Sequence, residues 1–209
     1  MVGTSKKIAI IYATQTGQAK TIAETINDEA ITNGFEPVLY DISQFSRKRL
    51  LNEITDPAVF VCSTTGDGEV PESALRCYNS LKRLEAESNQ DFFKNFNYAL
   101  LGLGDTNYTQ FCNGAKLFNQ KFQQLGAHCF YGPSWADDGT GLDVEVEPFI
   151  EGLWDALDKF FRNAKKHTNQ TVQINTDQLS NELNKLSIVN PDLSGQLSVP
   201  EYVENHLKI

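Results

Sequence analysis

The chain has 209 residues and is 40% apolar, enough for one packed domain and a tail. A net charge of −9 argues against nucleic acid or an anionic membrane surface as a partner, and no apolar run approaches the roughly 18–20 residues of a membrane span. Cys62, Cys77, Cys112 and Cys129 form no CxxC pair and the three histidines are scattered, so no metal site is expected, and the thiols read as reduced in a cytoplasmic protein.

In chain order, residues 7–12 form a short apolar run that reads as a strand. The loop Thr14-Gln15-Thr16-Gly17-Gln18 follows, and then a helix over 18–33. Ile22, Ile26, Ala30 and Ile31 share its apolar stripe, with Gly34 as the C-cap. A second strand spans 36–41, and a short helical segment 47–52. A third strand, 58–62, runs into "CSTTGDGEVPESA" and a helix over 73–87. A fourth, 97–103, runs into "GLGDTNYTQFCNGAK" and a helix over 114–125 whose core face is Leu117, Phe118, Phe122 and Leu125. A fifth strand, 128–131, precedes the paired Asp137 and Asp138 and a helix over 144–161 with Phe149, Ile150, Leu153, Leu157 and Phe161 inward. Past Arg162 the chain turns rich in Asn and Gln; 176–186 reads as a short helix and the rest as linker. The expected organisation is thus a domain over 1–162 and a tail over 163–209. Five short apolar strands alternating with helices imply an α/β fold. The strands would make a doubly wound, five-stranded parallel sheet of order 2-1-3-4-5, with helices on both faces. That order opens a ligand crevice at the carboxyl ends of strands 1 and 3.

The first loop sits at a helix N-terminus, where free backbone N–H groups and the helix dipole favour an anion. Thr14, Thr16 and Gln18 add neutral donors, and Gly17 lets the backbone approach a ligand. Neither the Walker spacing nor GxGxxG is present. An ordinary turn with an N-cap threonine explains this loop equally well by itself. The loops after strands 3 and 4 rise beside it in the expected order. One is rich in glycine and the other offers Tyr108 and Phe111, so a flat ring can lie between them. A phosphate at one end and a planar ring at the other describe FMN.

The motifs "YATQTGQAK", "STTGDGEVP", "LLGLGDTNYTQFCNGAK" and "VEPFIEGLWDAL" resemble the FMN-binding, flavodoxin-like domain of the diflavin reductases. The resemblance covers residues 6 to about 161. The tail segment "LSVPEYVENHL" is similar to the stretch preceding the FAD/NADPH module in one branch of that family. Because the chain ends just past it, at Ile209, the sequence reads as cut from a longer one that held the module. The resemblance implies an oxidoreductase: electrons enter from an FAD/NADPH module and leave singly to the cobalamin of methionine synthase. The cofactor-binding residues it implies are Thr14, Gln15, Thr16, Gly17, Gln18 and Ala19 on the first loop, and Ser63, Thr64, Thr65, Gly66, Asp67 and Gly68 on the second. The third contributes Leu103, Gly104, Asp105, Tyr108, Phe111, Cys112 and Asn113, and Asp138 completes the set. Tyr108 would stack on the ring and Gly66 would aim a peptide carbonyl at its N5 edge; Trp135 and Trp154 read as packing groups, with Trp135 the closer to the flavin edge. Many family members carry tyrosine where this chain has Thr65, so that side of the ring would lack an aromatic cover; the same branch has a small residue there.

Another diflavin reductase or a free-standing flavodoxin-like shuttle would share these loops. A signalling receiver domain would need acids after strand 1 and an aspartate ending strand 3, where this chain has Ala13-Thr14 and Ser63-Thr64. Residues 1–161 hold 13 Lys/Arg and 22 Asp/Glu, whereas the remaining 48 hold five of each. Eight acids and no base lie between Asp137 and Asp158. This run is either a solvated helix face or a docking surface for a basic partner. The chain is expected to be a monomer.

Overall fold

The computed structural model describes residues 6–45, 57–87 and 91–189, with side chains through 166. Five strands, β1 (Lys7–Ala13), β2 (Glu36–Asp41), β3 (Ala58–Ser63), β4 (Asn97–Gly104) and β5 (His128–Asp137), form one sheet in the order β2-β1-β3-β4-β5. Every pairing is parallel. The helices are α1 (Gln18–Thr32), α2 (Leu75–Ala86), α3 (Asn113–Gln124) and α4 (Asp143–Val189), and a 3-10 turn at Glu72–Ala74 leads into α2. The expected class and strand order hold. β1, β3 and β4 are buried along almost their whole length, as continuous apolar runs covered on both faces must be.

The chain divides into two units, Met1–Phe160 and Phe161–Ile209. In the first, α1 meets the sheet through Ala19, Ala23, Ile26 and Ala30. Three of these four are alanines, so the helix backbone lies close to the strands. Ile31, expected on that stripe, is 60% exposed instead, because one residue beyond Ala30 is about 100° round the helix. The end of α1 follows its glycine. Gly34 takes φ +78°, its N–H donates to the Ile31 carbonyl at 3.0 Å, and the Phe35 N–H donates to that of Ala30 at 2.9 Å. This Schellman ending recurs at Gly126, φ +89°. The opposite face carries an aromatic core, with Phe60 5.1 Å from Phe118 and 5.6 Å from Phe122 between ring centroids.

Two expected elements are too short. β5 continues past 131 to Asp137, with register shifts against β4 around Tyr98–Leu101. The Gly132-Pro133 pair looks like a strand terminus. On an edge strand, however, the missing proline N–H removes no ladder bond from the sheet. The last helix, expected to stop at 161, runs from Asp143 to Val189, since no Gly or Pro occurs between Gly152 and Pro191. Residues 176–186 therefore form no separate helix. The expected helix over 47–52 and the tail segment 197–207 lie outside the described residues.

Candidate cofactor site

At the carboxyl ends of β1 and β3, a cavity of about 480 Å³ opens between the loops. Its lining is Gln15, Thr16, Gln18, Ser63, Thr64, Thr65, Gly66, Asp67, Leu103, Gly104, Asp105, Tyr108, Gln110, Asp138 and Leu142. Gln110 and Leu142 are additions to the expected set. Gln110 sits in the quoted loop two residues after Tyr108. Leu142 belongs to no motif, and only the return of the chain after β5 brings it to the rim.

The loop after β1 is shaped to leave the start of α1 open. Gly17 is the N-cap at φ +102°, and no side chain caps the helix. The Thr14 hydroxyl accepts the Gly17 N–H at 3.0 Å and so folds the loop. The first turn of α1 contains no acid, and Lys20 is turned to Glu24 at 3.6 Å. An anion here meets backbone N–H groups, the Thr16 hydroxyl and the Gln18 amide. Gln15 has a second task. Its side-chain Oε1 accepts the Glu72 N–H at 3.0 Å, while the Ser73 hydroxyl donates to the Thr14 backbone carbonyl at 3.0 Å. These two bonds tie the first loop to the chain after β3.

The β3 loop is a closed turn. Thr65 and Glu69 exchange backbone bonds of 3.0 and 2.8 Å around Gly66 (φ +51°) and Gly68 (φ +105°). A Cβ on Gly68 would overlap the Gln110 side chain. The Asn113 amide donates to the Gly68 carbonyl at 2.8 Å, and the Gly114 N–H donates to the Thr64 hydroxyl at 3.2 Å. Asn113 thus clamps the β3 loop to the β4 loop without lining the cavity.

In the β4 loop, Asp105 accepts the Asn107 N–H at 2.7 Å on its carboxylate and the Tyr108 N–H at 3.1 Å on its backbone carbonyl. Tyr108 stands 59% exposed at the rim. Asp137 accepts the Thr106 hydroxyl at 2.6 Å, the Thr106 N–H at 2.9 Å and the Gly139 N–H at 2.9 Å. These donors, the Thr106 hydroxyl foremost, hold its carboxyl below the usual range. The Gln18 amide reaches Asp138 at 3.5 Å across the opening.

Several expected ligands are placed elsewhere. Thr14, Gly17 and Gly68 shape turns, and Ala19 is buried where α1 meets the sheet. Cys112 is fully buried, with its sulfur 3.6 Å from the carbonyls of Gly102 and Ala136; burial pushes its thiol up to about 12. Its backbone nitrogen would lie 2.5 Å from a Cβ on Gly104, so it supports the loop from beneath. The Phe111 ring faces Lys116 Nζ at 5.2 Å, and that ammonium also donates to the Phe111 carbonyl at 2.7 Å. Trp135 lies against Gly102 and Trp154 stacks on Phe35 at 6.0 Å, so neither lines the cavity. Among the described residues no acidic, His or Cys cluster is arranged to hold a metal ion.

The volume lies within the range of cofactor pockets, about 300–1,000 Å³. It has an open helix N-terminus at one side, and a glycine turn and Tyr108 at the other. Fold and site together define a mononucleotide-binding member of the doubly wound α/β class. A family model for flavodoxin matches residues 10–173, and the chain belongs to the flavodoxin family, whose members carry FMN. It is 43% identical to methionine synthase reductase of Bos taurus over 169 residues, covering 80% of this chain and 24% of that protein. Identity to the Homo sapiens protein of that name is 44% over 160 residues, 77% of this chain and 22% of the other. The sulfite reductase [NADPH] flavoprotein alpha-component of Aliivibrio fischeri is 35% identical over 169 residues, 80% of this chain and 26% of the other. The chain thus spans about a quarter of the length of these relatives. The likeness to diflavin reductases read from the loops is borne out. A flavodoxin variant from Pseudomonas aeruginosa superimposes with a TM-score of 0.60 at 22% identity, over 73% of this chain and 99% of that one, a likeness of fold.

Proposed function

We propose that this chain binds FMN in the cavity and acts as the electron-transfer domain of an NADPH-dependent diflavin reductase, an oxidoreductase. FMN supplies the capacity to take up and release single electrons. The chain's own residues seat it. Thr16, Gln18 and the first N–H groups of α1 hold the phosphate, Thr64 to Asp67 border the ring edge, and Tyr108 covers a ring face. Asp67, Asp105 and Asp138 supply three carboxylates to the lining and no Lys or Arg joins them among the described lining residues, which disfavours added negative charge on the ring. The carrying observation is that one cavity joins an uncapped helix N-terminus to a glycine turn and an exposed tyrosine.

On this reading residues 1–162 are the FMN domain, and 163–209 lead toward an FAD/NADPH module that supplies the electrons. The acceptor is the cobalamin of methionine synthase, a reading supported by the 43% and 44% identities above. The sulfite reductase flavoprotein likeness, at 35%, favours a second reading, another diflavin reductase with a different acceptor. The protein works as a monomer in the cytoplasm, the second part of that reading being supported by four free thiols. Among the described residues no helix is long and apolar enough to cross a membrane.

Fluorescence titration with FMN tests the cofactor: we expect one equivalent to bind with quenching, and the reading is lost if none binds. Supplying an FAD/NADPH module in trans then tests the acceptor. Reactivation of methionine synthase is expected, and turnover of sulfite reductase alone would favour the second reading.

A further inference from the structure

Asp137 is the last residue of β5 and pairs with Gly104, the last of β4. It lies outside the cavity lining, yet both its oxygens are engaged. One accepts the backbone N–H groups of Thr106 and Gly139, each at 2.9 Å, and the other accepts the Thr106 hydroxyl at 2.6 Å. Thr106 begins the segment that ends in Tyr108. The next two N–H groups, of Asn107 and Tyr108, turn back onto Asp105 within the same loop. The Asp137 carboxylate is therefore what fastens this segment to another strand. The Tyr108 side chain makes no hydrogen bond or ring contact among the described residues, and the residue is 59% exposed. Its ring is held only by the backbone that carries it.

We propose that Asp137 is a positioning residue for ring binding: by fixing Thr106 it holds Tyr108 in place against the flavin. The inference rests on the FMN reading above. Asp137 acts here by accepting hydrogen bonds, not by its charge. An asparagine keeps one acceptor oxygen for the two backbone N–H groups and loses only part of the hold on the threonine hydroxyl. An alanine loses all three bonds. The neighbouring carboxylates, Asp105 and Asp138, do line the cavity and stay unchanged in both variants.

The test is FMN affinity of the whole chain as wild type, Asp137→Asn and Asp137→Ala, each with Tyr108 present and as Tyr108→Ala. With Tyr108 present we expect Asp137→Ala to weaken binding about tenfold and Asp137→Asn about threefold. In the Tyr108→Ala background the loss from Asp137→Ala should shrink to less than about twofold, because the two residues act as one unit. Amide exchange in the FMN-free chain should speed up at Thr106 in the alanine variant while the β3 amides stay protected, which separates loop release from unfolding. Equal losses in both backgrounds, or an asparagine variant as weak as the alanine one, would overturn the proposal. Wild-type binding left unchanged by Asp137→Ala would also overturn it, with the FMN reading intact. A wild-type chain that takes up no FMN would remove both.

Discussion

Tyr108 combines a large apolar ring with high exposure, which leaves that ring open to stack on a ligand. A stacked aromatic pair contributes about 0.5–1.5 kcal/mol, so Tyr108→Ala should weaken FMN binding by roughly two- to twelvefold and reduce quenching of the bound flavin. A titration showing unchanged affinity and full quenching would place the stacking elsewhere. Asp137 leads to a pH prediction. Its folded pKa lies below its unfolded value, so its hydrogen bonds stabilise the fold fully above the ordinary carboxylate range and are lost as pH falls through the folded value. Unfolding temperature should therefore hold steady from neutral pH to that range and then drop. Asp137→Asn should flatten this drop. At this scale the loops' chemistry was legible, but the aim of each side chain was not. Cys112 and Phe111 stand in the same motif as Tyr108; one is buried beneath Gly104 and the other is pinned by Lys116, because left-handed backbone at Cys112 (φ +54°) redirects the chain between them.

Helix ends were the most readable elements, because glycine has a local reason to be there. Gly34 closes α1 with open space where a Cβ would go, so Gly34→Ala isolates the cost of a left-handed backbone. That cost is about 1–2 kcal/mol. At roughly 2–4 °C per kcal/mol for a domain of this size, melting should come a few degrees lower, with FMN affinity unchanged. A calorimetric scan decides it, and an unshifted midpoint would mean that the residue relaxes out of that conformation. β5 was misread for the converse reason. Pro133 is a local break signal, and only its position on the sheet edge, set by distant residues of β4, makes it harmless. The length of α4 was hidden differently: Asn- and Gln-rich composition signals a linker, yet such residues tolerate a helix when no breaker intervenes.

Across the whole molecule, charge is the property most open to test. The acids from Asp137 to Asp158 begin beside the cavity and continue along α4, with one of them, Asp158, paired to Lys6 at 2.8 Å. Such a surface attracts a basic partner over a distance set by salt, about 8 Å at physiological ionic strength. Stopped-flow association with the proposed reductase module or the proposed acceptor should slow steeply as salt rises, and a flat dependence would leave the run as a solvated face. The class of fold, its strand order and the three loops that meet at one sheet edge follow from the sequence alone. Hydrophobic period and turn residues are local signals, and right-handed crossovers leave few ways to assemble them. Tertiary structure alone decided which loop residues reach the cavity, which bind the loops to one another, and that Gln110 and Leu142 join the lining. Those outcomes depend on hydrogen bonds between segments as far apart as Gln15 and Glu72, or Thr106 and Asp137, and no local pattern records such a pairing.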